Sequence, residues 1–306
     1  MITLDRIDDV RAACACARRD GGSVGLVPTM GFFHDGHRTL MRTARANHDF
    51  VVVSIFVNPL QFGAAEDLDS YPSDPVGDAA VAEAEDIDVL FAPSVAEMYP
   101  EPPRTTVHVS GLTDGLCGDA RPTHFDGVTT VVAKLFSIVG PCSAYFGRKD
   151  AQQLAVVRRM AADLDLPVDV VGCALVREPD GLAMSSRNAY LSPAEREAAT
   201  VLSRSLYLVS EALHHGVRDT DTVTKIIADT VSAEPRCELE YAEVRRASDL
   251  EPIDRVDGEV LIAVAAHVGG KRLIDNISVH VDDDRVEVDL GVQSGKSTRE
   301  AAKARA

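Results

Sequence analysis

Two histidines, with an aspartate and a glycine between them, stand just past an apolar run in Val27-Pro28-Thr29-Met30-Gly31-Phe32-Phe33-His34-Asp35-Gly36-His37. If a helix begins there, its first N–H groups lack intrahelical partners and its dipole presents the positive end, so the turn suits a phosphate. Gly36 lets the backbone come close to a ligand, and two imidazoles can donate hydrogen bonds to charge developing on an α-phosphate. Spacing argues against a metal site, because no cysteine, glutamate or third histidine lies near enough in sequence to complete a ligand set. On its own the string reads more simply as two surface histidines at a helix cap.

Three further strings carry polar chemistry. Phe146-Gly147-Arg148-Lys149-Asp150-Ala151-Gln152-Gln153 runs from a strand end into a helix start, the edge of a parallel sheet where ligands bind. Lys149 would neutralise triphosphate charge there, Asp150 would bind a ribose or cap the helix, and Gln153 would face the same crevice one turn on. The loop from Asp180 to Asn188 sets Ser185, Ser186 and Arg187 in a row, two hydroxyls and a forked, permanently charged donor that would clamp phosphates. Asn58 and Gln61 offer neutral amides past the most apolar run, suited to hydroxyl and carboxylate groups of a small polar molecule. Each string taken singly passes as a cap, a linker or a turn. Their order, three strand ends and one domain junction, points to one crevice.

The elements that would position them follow from periodicity. Short apolar runs at 24–29, 50–57, 89–92, 143–146 and 168–173 alternate with helical patterns at 8–19, 36–47, 78–85, 127–139 and 150–164, the signature of βαβ units and a mostly parallel sheet. The run Val51-Val52-Val53-Ser54-Ile55-Phe56-Val57 is continuous rather than alternating, as a strand covered on both faces requires. After Arg187 the texture changes. A long helix opens at Ser192-Pro193-Ala194-Glu195, a second covers 221–232, and strand-like stretches follow at 239–244, 260–268 and 272–281. The expected division is therefore a Rossmann-like, doubly wound α/β domain over 1–176, a smaller α+β lid domain over 177–282, and a polar flexible tail over 283–306.

The chain has 306 residues, with 48 Asp and Glu against 31 Lys and Arg for a formal net charge of −17. That field repels nucleic-acid phosphates and anionic lipid, so a nucleotide site must be a local concentration of cations within an acidic molecule. No apolar run reaches bilayer-spanning length and residues 1–10 lack a secretory signal pattern, so a cytoplasmic protein without membrane or nucleic-acid partners is expected. The six cysteines form no C-x-x-C pair and read as reduced and mostly buried.

Together these strings resemble the pantoate–β-alanine ligases, a family of the nucleotidylyl-transferase superfamily. The blocks 27–37, 51–62, 121–128, 146–154 and 180–191 carry the likeness, which spans about residues 1–281. The resemblance implies a homodimer that condenses (R)-pantoate with β-alanine at the expense of ATP, through a pantoyl-adenylate, releasing AMP and diphosphate. It implies catalytic roles for His34, His37, Lys149, Ser185, Ser186 and Arg187. Around the nucleotide it places Pro28, Met30, His37, Gly147, Lys149, Asp150, Val176, Met184 and the Ser185–Arg187 loop. Pantoate would meet Met30, Asn58, Gln61 and Gln153, and Arg121 and His124 would lie on a stretch that covers the site. Mg²⁺ would enter with ATP, with Asp78 as the aligned acid. Arg148 replaces the family's glutamate and would add positive charge beside the triphosphate, while Gly77 replaces the second acid beside Asp78. Two alternatives are another His-x-Gly-His nucleotidylyltransferase and a non-catalytic nucleotide-binding relative.

Overall fold

The computed structural model describes residues 1–63, 66–283 and 285–294. They fall into two compact units, Met1–Arg148 with Gln152–Cys173, and Lys149–Ala151 with the chain from Ala174 onward.

In the first unit the chain runs β1 (Ile2–Leu4), α1 (Ile7–Arg19), β2 (Val24–Thr29), α2 (Asp35–Asn47), β3 (Phe50–Ile55), α3 (Pro75–Ala84), β4 (Val89–Phe91), α4 (Val95–Met98), α5 (Leu116–Ala120), α6 (His124–Val139), β5 (Cys142–Gly147), α7 (Ala151–Asp163) and β6 (Val168–Cys173). Six parallel strands form one sheet in the order β1-β4-β3-β2-β5-β6. Strand side chains alternate between faces. Leu26, Val52 and Ala144 join a core with α1, α6 and α7, whereas Val27, Val51, Val53 and Tyr145 join a second core with Leu40, Met41 and Ala44 of α2. Both faces are covered, which is why these strands are continuously apolar. β1 is an addition to the expected strands, since the charged residues that follow it leave no apolar run.

The strand order sets the location of the site. From β2 the chain moves outward to β3 and β4, then returns to place β5 on the other side of β2. That reversal is a topological switch point, and the crevice beyond the carboxyl ends of the two strands is where open α/β sheets bind ligands. The turn after β2 carries residues 30–37 and the end of β5 carries Gly147.

The second unit holds β7 (Val176–Arg177), α8 (Pro193–Ala199), α9 (Val201–His214), α10 (Thr220–Ser232), β8 (Cys237–Arg246), β9 (Gly258–Val268), β10 (Lys271–Asp282), β11 (Arg285–Asp289) and β12 (Val292–Gln293). Strands β8 to β11 form an antiparallel sheet in the order β11-β10-β9-β8, closed by a core that includes Leu202, Leu206 and Val209 of α9 and Val223 and Ile227 of α10. Ser192 caps α8 in a reciprocal box, accepting from Glu195 N–H at 3.4 Å while Glu195 Oε2 accepts from Ser192 N–H at 2.8 Å. The single long helix expected from Ser192 is interrupted at Thr200, whose hydroxyl bonds back to the Glu197 carbonyl at 2.7 Å. A second correction concerns the expected tail. Arg285–Asp289 pairs with β10 because Val286, Val288 and Leu290 pack on the core of the second unit, and Val292–Gln293 pairs with β7. Residues 284 and 295–306 of that span lie outside the described residues. Among the described residues no helix is long and apolar enough to cross a membrane.

Candidate active site

The turn between β2 and α2 is built by its neighbours. Thr29 Oγ1 donates to the Ser54 carbonyl at 2.6 Å and accepts from Gly31 N–H at 3.1 Å. Gly31 has φ +86°, and a Cβ there would lie 2.9 Å from Asp78 Oδ2 and 3.0 Å from Ile55 Cγ2, so only glycine fits. Phe32 follows at φ 54°, a left-handed conformation that an ordinary side chain adopts only under constraint. The constraint is Asp78 on α3, whose Oδ2 accepts from Phe32 N–H at 2.8 Å and whose Oδ1 accepts from Phe33 N–H at 2.7 Å. Burial raises the Asp78 pKa and outweighs the two amides, which lower it. Both Asp78 oxygens are thus turned onto the backbone of the turn. Among the described residues no group of three or more His, Cys, Asp or Glu could hold a metal ion.

His34 is the N-cap of α2, and its Nδ1 accepts from Gly36 N–H at 3.1 Å. His37, three residues on, returns the arrangement, its Nδ1 accepting from His34 N–H at 3.3 Å. The ring centroids are 4.1 Å apart with planes tilted 34°. Both Nδ1 atoms are acceptors, so in each neutral ring the proton is assigned by geometry to Nε2. The capping box thus holds two imidazoles side by side in the tautomer that donates from Nε2.

Past β3, the 3-10 turn Pro59–Gln61 carries the amides. Asn58 is 1% exposed. Its Oδ1 accepts from the Tyr99 hydroxyl at 2.9 Å and from Leu60 N–H at 3.4 Å, while Nδ2 donates to Gln61 Oε1 at 3.2 Å and to the Gly127 carbonyl at 3.0 Å. These contacts use the whole donor and acceptor capacity of the amide. Asn58 therefore fixes which end of Gln61 is the donor, and Gln61 Nε2 lies 3.3 Å from Met30 Sδ. Met30, Asn58 and Gln61 are brought together as the sequence suggests. Tyr99, whose hydroxyl burial pushes up to about 12, is an addition that no local pattern marks. So is Gln152, whose Oε1 accepts from Cys117 N–H at 2.9 Å while Nε2 donates to the carbonyls of Leu112 and Gly115. Gln153, its neighbour, is half-buried on α7.

Arg121 and His124 converge on one backbone atom. The Gln61 carbonyl accepts from Arg121 Nη2 at 3.2 Å and from His124 Nδ1 at 2.9 Å, which leaves His124 Nε2 to accept from Arg121 Nη1 at 3.2 Å. Glu66 pairs with the Arg121 guanidinium through both oxygens. Burial acts to raise the Glu66 pKa, but the hydrogen bond and charge of Arg121 prevail and hold it below the ordinary range.

In the second unit β7 opens the stretch that ends in the serine-arginine loop. Met184 N–H donates to the Val176 carbonyl at 2.9 Å, which brings these two predicted residues together. Ser185 caps the 3-10 turn Ser186–Tyr190, its Oγ accepting from Arg187 N–H at 3.3 Å. Asn188 Nδ2 ties the loop to Glu178 Oε1 at 2.9 Å and to the Ala183 carbonyl at 3.1 Å. Beneath it lies Arg177, 1% exposed, a residue that sequence reasoning passes over although a charge directly after the apolar run Cys173 to Val176 is its signal. Lys149 and Asp150 sit in the 3-10 turn Arg148–Asp150, with Lys149 Nζ 4.0 Å from Asp150 Oδ1. Arg148 lies toward β6. A Cβ on Gly172 would be 3.5 Å from its Nε, and its charge adds to burial in lowering the Arg158 pKa.

A parallel sheet with its reversal at β2 and β5, and a histidine-capped helix at that reversal, define an α/β nucleotide-binding enzyme fold. The profile of the Pantoate-beta-alanine ligase family matches residues 2–278. The chain is 55% identical over 278 residues to the pantothenate synthetase of Heliobacterium modesticaldum, covering 90% of this chain and 99% of that one. Its fold matches the crystal structure of pantothenate synthetase from Thermus thermophilus with a TM-score of 0.85 at 45% identity, over 90% of this chain and 98% of that one. It also matches, with a TM-score of 0.74 at 31% identity over 90% and 97%, a pantoate–β-alanine ligase from Francisella tularensis complexed with β,γ-ATP and β-alanine. The chain belongs to the pantoate–β-alanine ligase family.

Proposed function

We propose that this chain joins pantoate to β-alanine with ATP by way of a pantoyl-adenylate, and that the paired histidines of α2 stabilise the first step. In that step a pantoate carboxylate oxygen attacks the α-phosphorus, and the bond to the leaving diphosphate breaks. The carboxylate is already ionised near neutral pH, so no proton has to be removed. The protein's work is positioning and stabilisation of charge on the α-phosphate oxygens. The observation that carries the reading is the double Nδ1 acceptance of His34 and His37, which leaves Nε2–H as the donor on each ring. Donors set in advance by a helix cap need no reorganisation as charge develops.

Gln61, with its oxygen taken by Asn58, presents an amide donor suited to a pantoate oxygen, and Met30 and Gln153 line the same substrate. Lys149, Ser185, Ser186 and Arg187 take the nucleotide phosphates, Gly147, Asp150, Val176 and Met184 the rest of ATP, and Mg²⁺ enters as part of the ATP complex. In the second step the neutral amine of β-alanine attacks the acyl carbon, AMP departs and the amine proton is lost to solvent or buffer. Because an acyl-adenylate hydrolyses readily, water must be kept from it until β-alanine arrives, a role that suits the Arg121–His124 stretch. The same reading takes the enzyme to be a cytoplasmic homodimer, on the strength of the family resemblance.

AMP release measured with each substrate omitted in turn tests the reading. Release that requires ATP, pantoate and β-alanine together is expected. Nucleotidyl transfer to a phosphate ester, or ATP binding without AMP release, would contradict it.

A further inference from the structure

Asn276 of β10 and Lys149 are 127 residues apart, yet Asn276 Nδ2 donates to the Lys149 carbonyl at 2.7 Å. That carbonyl belongs to the 3-10 turn Arg148–Asp150, immediately ahead of α7. A turn carbonyl needs a partner, and here the partner is a side chain whose own position is fixed on two sides. Asn276 is buried, its N–H donates to Asp275 Oδ1 at 2.7 Å, and its carbonyl accepts from Arg177 Nη2 at 3.4 Å.

Behind Asn276 stands a buried ion pair with no spare donor on the arginine. Arg177 Nη1 and Nη2 grip the two oxygens of Asp275 at 2.7 and 3.0 Å. Its remaining N–H groups go to the carbonyls of Gly181 at 3.0 Å, Leu290 at 2.5 Å and Asn276. All five guanidinium donors are therefore engaged, and none can move without breaking a buried, charge-assisted bond. The chain of contacts runs Arg177, Asp275, Asn276, Lys149 backbone. Arg177 also holds the Gly181 turn at the start of the serine-arginine loop, so one buried arginine anchors both segments.

We infer that Asn276 is a positioning residue for Lys149, fixing the backbone from which the ammonium group reaches the nucleotide phosphates. The inference rests on the reading above that Lys149 contacts those phosphates. Lys149 carries a long, rotamer-rich side chain, and where its nitrogen goes depends first on where its backbone is held. An asparagine that donates to that backbone confines the ammonium without touching substrate.

A double-mutant cycle on the full-length enzyme tests this, read by pantoate-dependent ATP/diphosphate exchange. Lys149→Ala alone should lower exchange by about a hundredfold or more. Asn276→Leu, with the same branching but without a donor, should lower it between about tenfold and a hundredfold, mainly in kcat, and by less than about twofold when Lys149 is already alanine. Thermal melting establishes that each variant is folded. Should the leucine variant melt early, Asn276→Ala removes the donor without adding bulk or charge and completes the same cycle. Equal losses in both backgrounds, or none in either, would overturn the inference while leaving the role of Lys149 intact. Near wild-type exchange in Lys149→Ala would instead remove the reading on which the inference stands.

Discussion

Gly127 of α6 and Leu60 of the 58–61 turn approach so closely that a Cβ on the glycine would lie 2.3 Å from the Leu60 carbonyl oxygen and 2.5 Å from Gln61 N. No real Cβ contact is that short, so any larger residue pushes the turn away. Gly127→Ala is expected to destabilise the first unit by about 1–3 kcal/mol, the usual range for overpacking. Because the displaced turn carries Gln61, pantoate KM should rise more than ATP KM. Steady-state kinetics with each substrate varied, beside a thermal melt, read both effects.

Asp78 holds the β2–α2 turn by accepting two backbone N–H groups. Asparagine offers one acceptor, and its NH₂ would face the second N–H. Asp78→Asn should cost about 1–3 kcal/mol in chemical denaturation, the penalty of an unmet buried donor. The wild-type pKa is raised, burial being the largest cause. The folded state therefore binds the proton more tightly than the unfolded one, and this group's contribution is fully present below the unfolded carboxyl value of about 3.9. It is lost as pH rises through the raised value. The stability advantage of wild type over Asp78→Asn should thus shrink with rising pH across that window and be flat above it. An advantage that grew with pH would contradict the assigned environment.

Arg177 and Asp275 are 1% and 2% exposed. Removing one partner leaves a buried charge unpaired, so Arg177→Met should destabilise the second unit by about 3–5 kcal/mol, and the pair Arg177→Met with Asp275→Leu by less than the two singles added. Urea melts followed by circular dichroism give the comparison.

The cysteines separate by environment. Burial pushes the Cys14 thiol up to about 11 and the Cys142 thiol up to about 12, whereas Cys16, two residues along α1 from Cys14, is exposed. Since the thiolate is the nucleophile, native labelling at pH 8 should modify Cys16 well before Cys14 or Cys142. Mass spectrometry of timed iodoacetamide reactions reads the order.

What was legible in the sequence follows from the reach of each signal. The parallel strands were visible because burial on both faces writes a continuous apolar run, as at Val51 to Val53. The histidine cap was visible because His34, Gly36 and His37 all lie within one turn. The hold of Asp78 on the β2–α2 turn was not visible, because its contact is with backbone N–H groups 45 and 46 residues away. Nothing in a local window shows that. Tyr99, Gln152 and Asn276 were missed for the same reason, each acting across 35 to 127 residues. The strand at Arg285–Asp289 was hidden by its acidic alternation, although Val286 and Val288 are the inward half of that alternation.

The most direct test of the paired histidines separates their capping role from their chemical one. Asparagine is a good N-cap, so His34→Asn keeps a side-chain acceptor for Gly36 N–H while removing the Nε2 donor. This variant should melt close to wild type, yet lose at least about a hundredfold in pantoate-dependent ATP/diphosphate exchange, the loss expected for a preorganised donor to developing charge. His37→Ala should show a comparable loss in the same exchange. Near wild-type exchange in both variants would contradict a role for the two imidazoles in forming the adenylate.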